Sequence, residues 1–574
     1  MSLEEIFNNQ KPVGDAAKYH TASGEDGMVS APVKEAAGAG EEVLKEGGNA
    51  IDAVIAMQLA LTAVEGMNTS IAAGGYMLYY DNKTKETKLL NGHSKAPSAT
   101  TPDIFYNEND ELLPFDERSV SPQSVGIPGM MRMLELAHET YGSMALGRLI
   151  DPAIKLAEND YRVTSLWERT IDNFKDRMGE EARKVFVPDG KPLKEGDSIR
   201  QQDLAKTLKL IRNEGLSSVY EGEIADAIVD TLEKMGGIIR KEDLKNYKAT
   251  IEEPLWGSYK GYDLALPGPP NGGGFAISQL LKMFEKLDIS QYDVHSWEKY
   301  HLVAEAIRVV LADQQTYIAD PAFVQLPLNG LFKDNYIEER LKLINLKERK
   351  KEQEIKPGDP WKYEEGETKY KQKQDKSFHG METTHFTAID RWGNIAACTS
   401  SIERIFGSGI MVPGYGFILN NDLTDFNPEP GTLNEANANK FAVSSKSPTI
   451  VFYRGKPFLT LGSPGAETIV GSVAQVLLHV LDYKMDLGQA IDEPRIFNNP
   501  QLSWEWEDGI NKQSMEKLKE LGYKLDRGFE EVSADDRLGD VKGILIDPWS
   551  GKLYGTADSP RPGRAIGVKD NKGK

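Results

Sequence analysis

The residue best suited to chemistry in this sequence is a threonine that opens a predicted buried strand. Residues 383–390 have the composition of a strand, and Thr383 is the first of them. If the Glu382–Thr383 peptide bond were cut, Thr383 would carry a hydroxyl and a free α-amine, whose pKa of about 7.7 to 8.0 suits a base near neutral pH. Nucleophile and base would then belong to one residue. Most threonines at the start of a strand occur there only because threonine favours the β conformation, so this chemistry is a hypothesis at this point.

A glycine-containing turn further along the chain offers a second chemical feature. The sequence GSPGA at 462–466 follows a predicted strand and precedes a predicted helix over 467–481. Backbone N–H groups at such a helix entry lack intrahelical acceptors and point outward. We interpret this turn as a candidate anion or oxyanion site. The glycine-rich run at 267–274 lacks the Lys-Ser/Thr of a phosphate loop and indicates a tight connection from a strand to a helix.

Long helices that alternate with strands must position these features. Two β-hairpins are predicted after residue 382, with turns at 391–394 and 454–457. The alternation favours α and β elements layered in one large unit. Helical periodicity is found at 50–64, 130–140, 149–159, 225–235 and 297–313.

A strongly charged segment precedes the first of these hairpins. Of the 30 residues in 347–376, 18 are charged, and the aromatic residues there follow no helical or strand period. Such a segment buries too little apolar surface to offset the entropy of ordering it. We therefore predict a mobile, solvated connector over 347–380.

The composition excludes several classes of function. The 574 residues include 68 Lys and Arg against 88 Asp and Glu, and the formal net charge of −20 repels phosphate backbones and anionic lipid. Neither nucleic acid nor a membrane is an expected partner. Cys398, the single cysteine, falls in a predicted buried strand and has no partner for a disulfide, and the eight histidines show no metal-ligand spacing. We expect no metal and no cofactor.

The first residues of the chain lack the cationic head and apolar stretch of a secretory signal. The longest apolar stretch, 50–64, falls short of the roughly 20 residues needed to span a bilayer. These features predict a cytoplasmic location, although a leader that had already been removed would leave export open.

A series of short motifs extends along nearly the whole chain. In the first part they are GMV at 27–29, GGNAIDA at 47–53, VGIPG at 125–129 and DPAI at 151–154. In the second part they are TTHFTAIDRWGN at 383–394, FGSGI at 406–410, LNNDLTDF at 419–426, SSKSPT at 444–449, GSPG at 462–465 and DEPR at 492–495. In this order they resemble the large and small subunits of the γ-glutamyltranspeptidase (glutathione hydrolase) family.

The resemblance implies an N-terminal nucleophile hydrolase with an α+β fold, a four-layer αββα sandwich. It implies a proenzyme that cleaves itself between Glu382 and Thr383 into a large subunit, 1–382, and a small subunit, 383–574. Thr383 would then attack the γ-carbonyl of a γ-glutamyl amide such as glutathione and form an acyl-enzyme. Water, or the amine of an amino acid or peptide, would release the acyl group.

Further catalytic roles carry over by motif position. Gly465 and Ala466 fall at the family's paired-glycine oxyanion position, where backbone N–H groups do the work and an alanine is tolerated if its backbone angles are allowed. Ser401 falls where the family has a hydroxyl near the amine of the nucleophile. The alternative for Ser401 is an ordinary strand serine.

The resemblance also implies residues for substrate binding. Glu403, Asp422 and Asp425 fall at positions that hold the α-ammonium of the substrate, and Asp422 replaces a longer side chain usual there. Three carboxylates that converge on one cation are chemically sensible, because an acidic cluster alone would repel itself. Ser444 and Ser445 fall at positions whose hydroxyls bind the substrate carboxylate.

Two departures from the family pattern concern the acyl pocket. The family arginine that meets the substrate carboxylate is replaced by His93, in the stretch NGHSKAP at 91–97, and no histidine or lysine reproduces a bidentate guanidinium. Lys95 as a point charge, Lys446 as an added positive charge, or a different acyl group are the alternatives. Only 18 residues separate Asp425 from Ser444, too few for an extended lid, so we expect an open cleft.

Three hypotheses about function follow. The first is an autoprocessed γ-glutamyl hydrolase/transferase. The second is a cephalosporin- or glutaryl-type amide acylase on the same scaffold, which His93 favours and which Glu403 with Asp425 opposes. The third is an uncleaved pseudoenzyme that serves as a binding protein.

Overall fold

The computed structural model describes residues 3–8, 21–364, 383–498, 504–524, 538–558 and 562–569. Glu382 and the part of the predicted connector beyond residue 364 lie outside the described residues. The predicted cleavage position therefore has a structural description on its Thr383 side alone.

The described residues form eighteen strands, and every described pairing between them is antiparallel. They are β1 (Thr21–Gly24), β2 (Met28–Ala31), β3 (Gly74–Asp81), β4 (Glu86–Gly92), β5 (Tyr161–Arg162), β6 (Ser198–Ile199), β7 (Thr250–Glu252), β8 (Leu255–Tyr259), β9 (Tyr262–Leu266), β10 (Thr384–Ile389), β11 (Ile395–Ser401), β12 (Thr449–Tyr453), β13 (Lys456–Gly462), β14 (Ile496–Asn498), β15 (Trp504–Trp506), β16 (Lys542–Ile546), β17 (Leu553–Ala557) and β18 (Arg564–Gly567).

Eighteen α-helices lie within the described ranges. They are α1 (Leu3–Asn8), α2 (Lys34–Lys45), α3 (Ala50–Val64), α4 (Phe115–Arg118), α5 (Met130–Tyr141), α6 (Leu146–Glu158), α7 (Ser165–Phe174), α8 (Glu180–Phe186), α9 (Gln202–Glu214), α10 (Glu223–Lys234), α11 (Lys241–Asn246), α12 (Gly273–Leu287), α13 (Trp297–Tyr317), α14 (Leu328–Phe332), α15 (Asp334–Leu341), α16 (Thr468–Leu481), α17 (Leu487–Asp492) and α18 (Lys512–Glu520). Short 3-10 helices are Pro122–Ser124, Lys175–Arg177, Pro188–Gly190, Leu216–Val219, Ile289–Gln291, Glu352–Glu354, Pro360–Tyr363 and Asp422–Asp425.

Two seven-stranded sheets form the centre of the molecule. The first has the order β18-β2-β10-β11-β3-β4-β7, and the second has the order β1-β17-β16-β13-β12-β9-β8. Alternate residues of a strand point to opposite faces, so each sheet has an inner and an outer face. The inner faces meet in one apolar cluster, to which the first sheet contributes Tyr76 and Ile389 and the second contributes Ile450 and Ile544.

Helices cover the two outer faces. Phe386 and Cys398 on the outer face of the first sheet belong to a cluster with α2, α3, α5, α6, α9 and α10. Leu459 and Leu545 on the outer face of the second sheet belong to a cluster with α12, α13, α16 and α17. The four-layer αββα sandwich expected from the resemblance is confirmed. Cys398 is completely buried in β11, as the sequence indicates, and burial raises the pKa of its thiol.

The helix that supports the first sheet begins where the sequence predicts. Asn49 caps α3, since its side chain accepts from the Asp52 N–H while the Asp52 carboxylate accepts from the Asn49 N–H at 2.9 Å. All fifteen residues of α3 are buried, including Asp52 and Gln58. The helix is apolar on every side because it lies between the first sheet and the outer helices.

The first part of the predicted connector is packed rather than solvated. Ile355 is 4% exposed, and the Gly358 N–H donates to the buried Asp313 carboxylate at 3.0 Å. Trp361 and Tyr363 contact the apolar cluster beneath the second sheet. A few apolar residues and the buried Asp313 carboxylate on α13 therefore hold 347–364 against the second sheet's helices despite the many charges. The composition of the segment does not reveal these contacts.

The described helices include none that is both long enough and apolar enough to cross a bilayer.

The turn of the β10–β11 hairpin is tied to α3 by one carboxylate, which generates a prediction about stability. Asp390 accepts from the Ala50 N–H at 3.0 Å and, within the turn, from the N–H groups of Trp392 at 2.9 Å and Asn394 at 3.0 Å. We expect Asp390→Ala to lower the free energy of unfolding by about 2 to 4 kcal/mol, because the buried Ala50 N–H and the partly buried N–H groups of the turn lose their shared acceptor. Chemical denaturation of purified protein measures the change.

The matched control is Asp81→Ala, at the turn between β3 and β4. Among the described residues, the Asp81 carboxylate accepts only from nearby turn N–H groups, those of Lys83 at 2.8 Å and Thr84 at 3.4 Å. We expect a loss below about 1 kcal/mol there. Equal losses in the two variants would contradict the role assigned to Asp390.

Candidate active site

A cleft with about 240 Å³ of empty space lies where strands of both sheets end. Thr383 reaches it from the start of β10, and Ala466 reaches it from the loop between β13 and α16. The cleft thus collects residues that are far apart in the sequence. The described residues that line it are Thr383, Glu403, Asp425, Ser444, Ser445, Lys446, Ala466 and Ile469.

Thr383 lies opposite Ser401 at the end of the β10–β11 pair. The register places Thr384 against Ser400, so Thr383 and Ser401 are the next facing residues. The Thr383 hydroxyl donates to Ser401 Oγ at 3.5 Å, and Ser401 Oγ also accepts from the Glu403 N–H at 2.8 Å. Both side chains are almost completely buried. A hydroxyl beside the expected nucleophile is the arrangement that the sequence predicts.

The predicted oxyanion turn faces the same cleft. Gly465 and Ala466 both have positive φ angles, +122° and +53°, which turn the backbone just before α16. Within the described ranges, neither backbone N–H is taken up by an acceptor of the protein. The alanine occupies the left-handed region at a cost of about 1 to 2 kcal/mol that a glycine would avoid. The pair has the chemistry of an oxyanion hole.

Contact between the two sheets brings this turn close to the nucleophile strand. His385, two residues after Thr383, packs against Gly462, where a Cβ atom would collide with the imidazole ring. The His385 Nδ1 atom is 2.8 Å from Thr399 Oγ1, and burial lowers the pKa of His385 to about 3, so the ring is neutral. Sequence reasoning missed this contact, because a histidine on one strand and a glycine on another carry no local signal that the two are packed together.

Three carboxylates gather beside the nucleophile, as expected. Oxygens of Glu403, Asp422 and Asp425 lie within 4.8 Å of one another, a geometry able to hold a cation. Burial raises the pKa of Asp422 to about 6, with Lys446 opposing the shift. Burial, reinforced by the neighbouring Glu403 carboxylate, raises the pKa of Asp425 well above its usual value. Asp422 lies behind the cleft wall, where its Oδ2 atom accepts a short hydrogen bond from Ser94.

The cation that already contacts this cluster is a lysine of the protein. Lys446 Nζ lies 3.7 Å from Asp422 Oδ1 and 3.8 Å from Glu403 Oε2. Burial disfavours its charged form, yet the Asp422 and Glu403 carboxylates outweigh burial and raise the pKa of Lys446. Lys446 is therefore charged, and it supplies positive charge inside the cleft.

The segment that carries Ser444, Ser445 and Lys446 is held by the glycine-rich turn before α12. The Gly272 N–H donates to the Ser444 carbonyl at 2.8 Å, and the Asn271 side chain donates to the Lys446 carbonyl at 2.6 Å. The sequence predicts a strand-to-helix connection here, which is confirmed between β9 and α12. Its bracing of the cleft wall was not predicted.

His93, like Asp422, is a predicted binding residue that does not line the cleft. It is completely buried and stacks between Tyr76 and Phe441, with ring centroids 5.4 and 6.4 Å away. Burial, with help from the positive charge of Lys446, lowers the pKa of His93 well below its usual value, so the ring is neutral. Lys95 lies over the Phe441 ring at 5.3 Å and does not line the cleft either.

The 18 residues between Asp425 and Ser444 fold back on themselves. The Asn434 side chain donates to the Asp425 carbonyl at 2.7 Å, and the buried Lys440 ammonium donates to the Leu433 and Glu435 carbonyls. Beside this loop a neighbouring cavity of about 370 Å³ shares Ser445 with the cleft and is lined also by Gln314. The two cavities therefore adjoin each other at Ser445.

Comparisons with known proteins agree with this geometry. The Gamma-glutamyltranspeptidase family model matches residues 36–568. A glutathione hydrolase proenzyme of Bacillus subtilis is 46% identical over 547 residues, which cover 95% of this chain and 92% of that protein. An acylase ACY 1 proenzyme of a Pseudomonas species is 32% identical over 93% of this chain and 92% of its own length.

Among solved structures, a cephalosporin acylase from Bacillus halodurans superposes with a TM-score of 0.83 at 25% identity, covering 96% of this chain and 97% of that one. The family match extends over more than nine-tenths of the chain. It includes every predicted site residue and all strands of the two large sheets except β1 and β2. This chain belongs to the γ-glutamyltranspeptidase family.

Proposed function

We propose that this protein is a proenzyme that cleaves itself before Thr383 and then transfers γ-glutamyl groups from amides to water or to amines. The observation that carries the proposal is the position of Thr383. It immediately precedes strand β10, its hydroxyl faces Ser401, and it shares one cleft with Ala466 and the acidic residues Glu403 and Asp425. The two products would be residues 1–382 and 383–574.

Self-cleavage would use the same hydroxyl as the later reaction. Thr383 Oγ1 attacks the carbonyl carbon of Glu382, the peptide C–N bond breaks, and an ester to Thr383 forms while the nitrogen becomes the free α-amine. Water then hydrolyses the ester, leaving a carboxylate on Glu382 and restoring the hydroxyl. The low exposure of Thr383, 4%, supports a reaction in a preorganised rather than a solvated setting.

In each turnover, Thr383 would then act as an N-terminal nucleophile. The Thr383 amine takes the hydroxyl proton as Oγ1 attacks the γ-carbonyl, and the proton passes to the departing amine as the C–N bond breaks. The N–H groups of Gly465 and Ala466 would stabilise the oxyanion, and Ser401 would orient the amine. Water or an acceptor amine attacks the resulting ester and frees Thr383.

Recognition of the donor would rest on the charged wall of the cleft. We assign the α-ammonium to Glu403 and Asp425, which line the cleft, with Asp422 behind them, and we assign Ser444 and Ser445 to the carboxylate. We assign the departing or accepting amine to the neighbouring cavity that shares Ser445 with the cleft. Glutathione and other γ-glutamyl amides are the expected donors.

The second candidate function is an amide acylase that takes glutaryl-type donors. Two observations favour it. His93 is neutral and enclosed, and Lys446 already places an ammonium against Glu403 and Asp422. The same nucleophile and oxyanion turn serve both functions, so the acyl group alone separates them.

Self-cleavage is tested by the fate of the intact chain. We expect the purified wild-type protein to convert into two fragments that begin at Met1 and Thr383, and we expect Thr383→Ala to stay a single chain, because it lacks the attacking oxygen. Denaturing electrophoresis with intact-mass measurement and N-terminal sequencing checks both results.

The matched control is Thr384→Ala, which removes the neighbouring hydroxyl. Thr384 Oγ1 donates to the buried Glu65 carboxylate at 2.6 Å and faces away from the cleft wall. This variant is expected to convert as the wild type does. A wild-type chain that stays intact through long incubation would instead support the pseudoenzyme hypothesis.

Recognition of the α-ammonium is tested with γ-glutamyl anilide and glutaryl anilide, which lacks the α-amine. We expect Asp425→Asn to lower kcat/KM for γ-glutamyl anilide by about 10- to 100-fold, mainly through KM, because a charged hydrogen-bond acceptor is lost. The same variant is expected to change kcat/KM for glutaryl anilide by less than about threefold.

The control for this comparison is Asp486→Asn, another buried aspartate, which caps α17 by accepting from the Gln489 N–H at 3.0 Å. It is expected to keep the wild-type ratio of the two donors. If the wild-type enzyme cleaves both donors equally and Asp425→Asn slows both alike, the carboxylate cluster does not recognise an ammonium, and the acylase function is favoured.

A further inference from the structure

Lys446 is a charged group that the reaction described so far does not use. Its side chain is 3% exposed, lines the cleft beside Thr383 and Ser445, and is charged because two carboxylates stabilise its ammonium. Burying a charged lysine side chain costs desolvation free energy, and contacts with neighbouring groups of opposite charge must offset that cost. The Asp422 oxygen nearest to Lys446 accepts no hydrogen bond from the described residues, so Lys446 is its counter-charge.

The α-carboxylate of a γ-glutamyl donor needs a positively charged partner, and one residue of the described cleft lining can provide it. Among the described lining residues, Lys446 is the sole cationic side chain. His93 is neutral and enclosed by aromatic rings, and Lys95 contacts the Phe441 ring outside the cleft wall. Ser444 and Ser445 are hydroxyls that hydrogen-bond a carboxylate without balancing its charge.

The spacing of opposite charges in the wall fits the head of an amino acid. The ammonium and carboxylate of a γ-glutamyl group are attached to the same carbon, so their partners must be close neighbours of opposite sign. Lys446 Nζ and Glu403 Oε2 are 3.8 Å apart, and the Asp425 carboxylate completes the acidic side. Lys446 also offsets the charge of Asp422, which lies behind the cleft wall.

We propose that Lys446 is a specificity-determining residue that pairs with the free carboxylate of the acyl donor. The assignment deepens the proposed function and rests on it. Under this assignment the donors are amides of five-carbon dicarboxylic acids, in which one carboxyl group forms the scissile amide and the other stays a free carboxylate. An α-amine on the donor increases its affinity but is not required. Lys446 is a positioning group for the donor and takes no part in bond making.

The test compares γ-glutamyl anilide with its analogue in which the α-carboxylate is a neutral carboxamide of the same shape. We expect the wild-type enzyme to prefer the carboxylate donor by about 10- to 100-fold in kcat/KM, and Lys446→Met to reduce that preference to less than about threefold. The loss falls on the KM of the carboxylate donor. Turnover of the carboxamide donor, expected within about threefold of wild type, shows that the variant is folded and active.

Two further variants make the assignment specific. Lys446→Arg keeps the positive charge and is expected to restore at least part of the preference, whereas Lys95→Met is expected to retain all of it. The proposal is overturned if Lys446→Met leaves the preference unchanged, if it slows both donors equally, or if it accelerates γ-glutamyl anilide, which would mean that Lys446 blocks the place of the substrate ammonium.

A failure of the proposed function is distinguished by the wild-type enzyme itself. Absence of turnover on γ-glutamyl anilide would refute γ-glutamyl transfer. The role of Lys446 is then tested with donors that lack the α-amine, by comparing kcat/KM for glutaryl anilide with kcat/KM for its terminal carboxamide. If Lys446→Met still prefers the carboxylate donor as the wild type does, the assignment is overturned for glutaryl donors as well.

Discussion

The chemistry of this protein depends on how closely its two sheets approach each other at the ends of β10 and β13. Gly462 at the end of β13 has no side chain, and the His385 ring of β10 fills the space that one would occupy. That contact fixes the turn at Gly465 and Ala466 relative to the strand that begins after Thr383. An oxyanion site works only when its donors are held before the reaction, because reorganising them would consume the stabilisation they provide.

Around this contact the molecule gathers charge that would be unfavourable anywhere else in its interior. Three carboxylates within 4.8 Å of one another repel, and burial adds to the cost of their ionisation. Lys446 offsets part of that cost, and the segment that carries it is braced through the backbone by Asn271 and Gly272. The cleft therefore keeps acidic groups ready for a cation without relying on a bound ligand for its integrity.

The scaffold shared with acylases explains why two donor classes are candidates for one cleft. The proposed nucleophile, the neighbouring hydroxyl and the proposed oxyanion turn lie at the ends of sheet strands, while the proposed acyl pocket comes from the segments around Asp422 and Ser444. Substitutions in those segments change the charge of the pocket and leave the chemical machinery in place. The replacement of an arginine by the enclosed His93, together with the presence of Lys446, is a change of that kind.

Local signals in the sequence determined much of the fold. The capping pair at Asn49 and Asp52 and the apolar run behind it specify α3 within its observed bounds, and the hairpin of β10 and β11 follows from strand composition and a Gly-Asn turn. The family motifs indicated the candidate site residues, including Thr383. Tertiary structure alone decided that 347–364 packs, that His93 is neutral and enclosed, and that Lys446 meets Asp422 and Glu403. These outcomes depend on distances between segments remote in sequence and on burial, which sets whether a titratable group is charged, and neither quantity is encoded in local pattern.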